Sequence, residues 1–268
     1  MKTLVITGGS NGIGRAAAKK FRSEGYRVFE LSRRGKDENG IVHVTADVSD
    51  EQSVKNAFEQ ISRQTDRIDV LICNAGFGIS GAAEFTELDN AKKQFDVNFF
   101  GAFLTVKYAL PLVKKAKGKI IFSSSAAAVF SIPFQGFYSA SKAAVNSLSN
   151  ALRNELKAFG VSVCALQFGD AATGFTAARE GSFAGNEQYG GAVKKSVAVM
   201  EKDEQNGMSP ERIAKITFKI ASKKRIRNIY TVGAKYKLFC LAERLLPSSL
   251  VNFAVGKLYI PKQISFLE

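Results

Sequence analysis

Thr3-Leu4-Val5-Ile6-Thr7-Gly8-Gly9-Ser10-Asn11-Gly12-Ile13-Gly14 is a short apolar run that ends in a glycine-rich turn. Arg15-Ala16-Ala17-Ala18-Lys19-Lys20-Phe21 follows and is good helix-forming sequence. A strand, a tight glycine turn and a helix N-terminus in that order make an anion site. Backbone N–H groups and the helix dipole point at a bound phosphate, and the glycines allow positive φ and close backbone approach. The spacing Gly8-x3-Gly12-x-Gly14 differs from the Gly-x-Gly-x-x-Gly of the common dinucleotide fingerprint.

The alternation begun there continues along the chain. Apolar runs predict strands near 3–7, 27–32, 41–45, 69–73, 118–123, 161–167 and 228–232. Helical periodicity predicts helices near 13–24, 51–65, 88–116, 138–159 and 210–222. Repeated βα units imply an α/β fold: a three-layer Rossmann arrangement with a seven-stranded, mostly parallel sheet and helices on both faces. Ligands of such sheets bind at the carboxyl ends of the strands. With no internal repeat or linker in sight, residues 1–268 are expected to form a single dinucleotide-binding domain. Residues 174–208 are the least regular stretch and 235–262 an apolar helical extension.

A second pair of residues carries chemistry. Tyr138 and Lys142, in Phe137-Tyr138-Ser139-Ala140-Ser141-Lys142, lie one helical turn apart on one face. An ammonium beside a phenol favours the phenolate, so a Tyr138 pKa lowered towards neutrality is expected. Such a phenol gives a proton to a carbonyl oxygen or takes one from an alcohol.

Taken in order, the motifs resemble those of the short-chain dehydrogenase/reductase family, from residue 1 to about residue 233. Thr7-Gly8-Gly9-Ser10-Asn11-Gly12-Ile13-Gly14 is similar to its cofactor loop, Asp47-Val48 to its adenine-contacting pair, and Asn74-Ala75-Gly76 to its Asn-Ala-Gly turn. Asn98 matches its helix asparagine, and Ser125 lies the family's 13 positions before Tyr138. Phe168-Gly169-Asp170-Ala171-Ala172-Thr173 occupies its Pro-Gly-x-x-x-Thr turn, with Phe168 in place of the proline. The resemblance implies Asn98, Ser125, Tyr138 and Lys142 as catalytic residues. Tyr138 would donate the proton, and Lys142 would hold the nicotinamide ribose. Ser125 would polarise the carbonyl, and Asn98 would interrupt its helix and hold a water. It further implies cofactor contacts from Gly8, Ser10, Asn11, Gly12, Ile13, Gly14, Asp47, Val48, Asn74, Ala75, Gly76, Tyr138, Lys142 and Thr173. Residues 174–208 would be the substrate lid. Ser123 and Ser124 are adjacent alternatives to Ser125.

The end of the second strand decides between cofactors. An NAD site wants a carboxylate there. The chain offers Ser32-Arg33-Arg34, donors suited to a 2′-phosphate, so NADP(H) is expected over NAD and reduction over oxidation. Glu30 falls two residues earlier, inside the strand, and Asn11 stands where many NADP-binding relatives carry a basic residue.

Composition narrows the field. Cys73, Cys164 and Cys240 are widely spaced, with neither a disulfide framework nor metal spacing, and read as reduced thiols. His43 is the single histidine and reads as structural, which leaves no zinc site and no His-based triad. No uninterrupted apolar run reaches the ~20 residues that span a bilayer, and no N-terminal signal is evident, so a cytoplasmic protein is expected. The net charge of +14 is concentrated late, with 15 Lys+Arg against 6 Asp+Glu from residue 191 onwards. No recognition motif accompanies it, which argues against nucleic acid.

In the tail, Leu238, Leu241, Ala242 and Leu245 share a helical face and Phe239 and Leu246 fall off it. The tail reads as a flap over the cleft, with contact to a membrane surface or to a second copy as alternatives. The phenylalanines Phe77, Phe130, Phe134, Phe137, Phe168, Phe175 and Phe183 near the cleft suggest an apolar pocket. Together these features point to an NADPH-dependent reductase of a lipophilic ketone. A 3-oxoacyl thioester reductase and a catalytically silent nucleotide-sensing scaffold are the other readings. Phe95, Phe99, Phe103 and Val106 on the long helix suggest a homodimer or homotetramer.

Overall fold

Alternate residues of the first strand point to opposite sides of a sheet, and both sides are covered. The computed structural model describes residues 1–175 and 179–260. Among these, seven strands form one sheet: β1 (Thr3–Thr7), β2 (Arg27–Ser32), β3 (Ile41–Thr45), β4 (Val70–Cys73), β5 (Lys119–Ser125), β6 (Ser162–Phe168) and β7 (Ile229–Val232). Their order is β3-β2-β1-β4-β5-β6-β7 and every pairing is parallel. All five residues of β1 are buried, as a strand covered on both faces requires.

The helices are α1 (Gly12–Ser23), α2 (Glu51–Ser62), α3 (Leu88–Phe95), α4 (Gly101–Ala116), α5 (Gly136–Glu155), α6 (Ala192–Gln205), α7 (Pro210–Ala221), α8 (Ala234–Leu245) and α9 (Ser248–Tyr259). Leu4, Ile6 and Ile72 pack with Phe21 of α1 and Ile213 of α7 on one face. Val5, Leu71 and Phe122 pack with Phe58 of α2, Val113 of α4 and Val145 of α5 on the other. Complete burial of one such side chain stabilises by ~1.5–3 kcal/mol, so the two layers fix the strand register from which the site is hung.

Two expectations need correction. The helix expected over 88–116 is two helices joined by a π-helical turn, Asp96–Phe100, with Asn98 buried in it. Residues 174–208 are more regular than their glycines suggest. They hold α6 and a two-residue strand, Glu180–Gly181, paired with Ile79–Ser80; residues 176–178 lie outside the described residues.

In the tail, the structure shows which face of α8 packs inward. Leu238, Leu241 and Leu245 face outward on α8, while Phe239 and Cys240 pack inward with Phe130, Met200, Val255 and Tyr259. The neighbours of α8 are the aromatic and sulfur side chains of a small satellite cluster. The leucine face is therefore the outward one, and the aromatic and sulfur side chains define the packed one. Residues 261 and 262 of the expected extension lie outside the described residues.

Cys73, Cys164 and Cys240 are free and buried. Burial pushes the thiols up, out of the reactive range. His43 contacts Glu30 and lies 3.1 Å from Thr45 Oγ1, a structural pairing between neighbouring strands. Among the described residues no group of His, Cys, Asp and Glu could hold a metal, and no helix is long and apolar enough to cross a membrane.

Candidate active site

The strand ends of β1, β4 and β5 open into a cleft of about 790 Å³. Its first wall is the glycine turn. Gly8 and Gly12 adopt φ of +67° and +51°, the left-handed region that a side chain resists. A Cβ on Gly14 would lie 2.0 Å from the Gly8 carbonyl oxygen. The turn is tied to its neighbours by polar side chains. Asn74 Nδ2 donates to the carbonyls of Thr7 (3.2 Å) and Gly8 (3.3 Å), and Thr7 Oγ1 accepts from the N–H groups of Asn74 (3.0 Å) and Ala75 (3.1 Å). Asn11 makes no side-chain cap on α1, and the first turn of α1 has no acidic residue. That helix end therefore suits an anion.

Ser10, Ile13, Gly76 and Thr173 line the same cleft, and Ser32, Arg33, Arg34, Asp47 and Val48 line its far end. The cradle thus fits a dinucleotide: glycines at the helix end, two guanidiniums beyond β2 and no strand-end carboxylate. The Ser32 hydroxyl donates to Glu30 Oε1 and to the Arg34 carbonyl, both at 3.3 Å. It must leave one of these to reach a phosphate. Glu30 is buried inside β2, as its register implied.

The other end of the cleft gathers Ser125, Tyr138 and Lys142. Ser125 is the last residue of β5, and its hydroxyl accepts from Ala127 N (3.1 Å) and hydrogen-bonds Tyr138. Tyr138 and Lys142 stand one turn apart near the start of α5. Lys142 Nζ donates to the Ser123 carbonyl at 2.9 Å and lies 5.7 Å from the Tyr138 ring centre. Ser123 Oγ donates to Asn74 Oδ1 (3.1 Å) and Ser124 is buried, so of the three serines only Ser125 meets Tyr138.

The expected lowering of the Tyr138 pKa is corrected here. Burial pushes the Tyr138 phenol up to about 12, against the smaller opposing effect of the Ser125 hydrogen bond. Burial also pushes the Lys142 ammonium down to about 8. Desolvation is the largest cause at both groups, and the Lys142 ammonium is engaged by the Ser123 carbonyl.

Asn98 sits behind this group. Its Oδ1 accepts from Phe77 N (3.0 Å), and its Nδ2 donates to Phe77 O (3.0 Å) and Ser141 Oγ (3.1 Å). The side chain thus locks the Asn74–Phe77 turn to α5. A water held at this point would have to bond the main chain that the π turn opens.

Sequence reasoning expected a lid and a flap over the cleft but named none of the polar side chains that they bring to it. Tyr236 of α8, Tyr259 of α9 and Glu204 of α6 line the cleft beside Asp170. A Cβ on Gly169 would fall 1.8 Å from the Tyr236 ring, so that glycine makes room for the tail, and the Tyr236 hydroxyl donates to Asp170. Burial, then the neighbouring Asp203, pushes the Asp170 carboxyl up to about 6. Of the phenylalanines expected at the cleft, Phe77, Phe130, Phe168 and Phe175 line it. Phe134 and Phe137 line a second cavity of about 300 Å³, and Phe183 is exposed. A signal available for these side chains was the acidic run Glu201-Lys202-Asp203-Glu204 in a tail of net positive charge.

A family model described as short chain dehydrogenase matches residues 2–182. The chain belongs to that family of oxidoreductases, whose members bind a nicotinamide cofactor. It is 38% identical to a 3-ketodihydrosphingosine reductase of Bacteroides thetaiotaomicron over 96% of this chain and 97% of that one. It is 30% identical to an NADPH-dependent 3-dehydrocapnine reductase of Ornithobacterium rhinotracheale over 94% and 95% of the two chains. The fold matches a short-chain dehydrogenase from Streptomyces avermitilis with a TM-score of 0.83 at 23% identity, covering 96% of both chains.

Proposed function

We propose that the protein, acting as a single domain, reduces a lipophilic ketone to an alcohol with NADPH. The observation that carries this is the meeting of Ser125, Tyr138 and Lys142 at one end of a cleft whose other end presents Arg33 and Arg34. The nicotinamide cofactor, when bound, supplies the hydride to the carbonyl carbon. The glycine turn, Asn74 and Thr173 would hold it, with Arg33 and Arg34 on its 2′-phosphate and Lys142 on the nicotinamide ribose.

A phenol near 12 stays protonated throughout the neutral range, the state a general acid needs. Tyr138 gives its proton to the carbonyl oxygen as negative charge develops there. The Ser125 hydroxyl donates to the same oxygen and stabilises that charge. Lys142 lies close enough to ease the loss of the phenolic proton once it swings from Ser123.

Two similarities support the substrate class: the relatives named as 3-ketodihydrosphingosine and 3-dehydrocapnine reductases, over nearly the whole chain. The aromatic lining supports it too. The outward row on α8 and α9, with Leu238, Leu241, Leu245, Leu250, Phe253 and Leu258 all about half exposed or more, fits contact with a lipid surface. Lys235, Lys237, Arg244 and Lys257 lie among it. Exposed Phe100 and Phe103 at the start of α4 fit a homo-oligomer contact, which light scattering would test.

The function is tested by NADPH consumption against long-chain ketones, 3-oxoacyl thioesters and aldehydes. Turnover of the ketones is expected. Preference for the thioesters would replace the substrate class, and silence on all three would favour a nucleotide-sensing scaffold.

A further inference from the structure

A second cavity, of about 300 Å³, lies beside the cleft. Ile132, Pro133, Phe134, Phe137 and Val255 supply most of its apolar wall, and among the described residues its lining carries no charged side chain. The cleft is lined differently, with Lys93, Asp170, Glu180 and Glu204 among its residues. A long alkyl chain laid across those charged groups would strip water from them and return nothing, whereas the second cavity has little that is polar to desolvate.

Two elements run beside both cavities. Ile132 lines the one and the other, and its N–H donates to Ser139 Oγ at 3.3 Å, one residue past Tyr138. On α9, Asn252 and Val255 line the second cavity and Tyr259 lines the cleft. That spacing sets the three on one helical face, a run of roughly 10 Å by the helical rise. Val255 and Tyr259 are buried, while Leu250, Phe253 and Leu258 of the same helix face outward.

The loop that walls the second cavity is strained. Phe134 adopts a φ of +61°, a region that a bulky aromatic residue resists. Gly81 N donates to its carbonyl at 2.8 Å, and Tyr189 packs edge-on against its ring at 5.5 Å. Backbone held in this way is a feature of ligand clamps, and here it sets one aromatic wall of the cavity.

We propose that the second cavity is the subsite for the alkyl chain of the ketone. The inference rests on the ketone-reductase reading and sharpens it, since the substrate class becomes ketones with a long unbranched chain. The chain leaves the carbonyl past Ile132 and lies along the inner face of α9, past Val255 and Phe137. Efficiency rises with each methylene that the cavity covers and levels once the chain passes its end.

The test uses the full chain, NADPH and a series of straight-chain methyl ketones that grow by one methylene at a time. Over part of the series kcat/KM should rise by about fourfold per methylene, the worth of one buried CH₂, and then level. Gly136 borders the cavity, and a Cβ there would meet nothing within 4 Å, so Gly136→Phe adds bulk into open space. It should lower the ratio of long-chain to short-chain efficiency at least about tenfold. NADPH titration by fluorescence checks that the variant is folded. A second measurement needs no variant. A long-chain ketone with a diazirine at its far end is bound with NADP⁺ and irradiated, and its label should fall on the peptides that carry Phe134, Phe137 or Val255. Efficiency independent of chain length, a ratio unmoved by Gly136→Phe, or label confined to peptides outside this cavity overturns the subsite and leaves the reductase standing. Reduction of no ketone in the series overturns the reductase reading itself.

Discussion

The floor and the roof of the cleft are built on opposite plans. On the floor, polar side chains are spent on the backbone: Asn98 on Phe77, Asn74 on Thr7 and Gly8, Lys142 on Ser123. Each bond fixes a reacting group against strands that are themselves buried on both faces. On the roof, charged side chains from α6 and the Asp170 turn meet each other across elements far apart in sequence, and α8 and α9 are half open to solvent. A floor of that kind holds one chemistry constant. A roof of that kind can change with the substrate at small cost to the fold.

The largest expected effect tests the floor. Tyr138→Phe keeps the ring against Phe175 and removes the transferable proton. Turnover should fall by roughly 10²–10⁴-fold while NADPH affinity stays within about threefold. Stopped-flow turnover and a fluorescence titration separate the two. A variant retaining a third of parental turnover would remove Tyr138 as proton donor.

Arg33→Asp tests the far end of the cleft. A carboxylate there would repel a 2′-phosphate and accept from a free ribose hydroxyl. The preference for NADPH over NADH should shift by roughly 10–10²-fold, the scale of one or two hydrogen bonds to a charged group. The ratio of kcat/KM for the two cofactors reads it. A parent protein that already prefers NADH would show that Arg33 does not recognise the phosphate.

The two regions also differ in how far the sequence disclosed them. The glycine turn was legible because it is written in backbone requirements: Gly14 has no room for a Cβ, and only certain residues fit. Ser125, Tyr138 and Lys142 were legible because their spacing along one strand and one helix is local. The π turn at Asn98 was anticipated as an interruption, but a helical period over 88–116 does not show where i→i+4 bonding fails. The Tyr138 pKa was misjudged because adjacency on a helix says nothing of burial. The roof was legible as a lid and a flap, but its polar side chains were not. Arg179, Glu204 and Asp170 are brought together only by tertiary packing, and α8 lays its aromatic side inward because Gly169 leaves a slot for Tyr236.

Lys142 offers a stability measurement on the floor. Burial lowers its folded pKa to about 8, below the ~10.4 of an unfolded lysine. Between those values the unfolded chain binds more protons, so parental stability should rise with pH across that window. Near pH 7 the buried charge costs about 3 kcal/mol at most. Lys142→Met loses the bond to Ser123 but also this cost. It should melt higher than the parent near pH 7, with the gap closing towards pH 10, and it should lose turnover. The same scan follows kcat/KM of the parent, expected to fall as pH rises past about 8 and the ammonium is lost. A melting gap that does not change with pH would place the lysine in contact with water.

The smallest effects belong to the roof's outer surface and decide which face of α8 is structural. Leu238, Leu241 and Leu245 are 65%, 52% and 73% exposed. Changing any of them to Gln should alter stability by no more than about 0.5 kcal/mol, as at other surface sites. Phe239 packs edge-on against Phe130 at 5.8 Å and is half buried. Phe239→Ala should cost about 2 kcal/mol, below the ~3–5 kcal/mol of a fully buried phenylalanine. Denaturant melts compare the two sets. If the leucine changes cost more than Phe239→Ala, α8 is rotated and the leucine face is the buried one. If they are neutral, a triple variant with Leu238, Leu241 and Leu245 all changed to Gln serves on anionic vesicles. Sedimentation of the parent at low salt, weakened in the triple variant and by added salt, would assign the exposed row to a lipid surface, because apolar burial and screened Lys and Arg attraction act together there. Equal sedimentation of parent and variant would leave the leucines without that role.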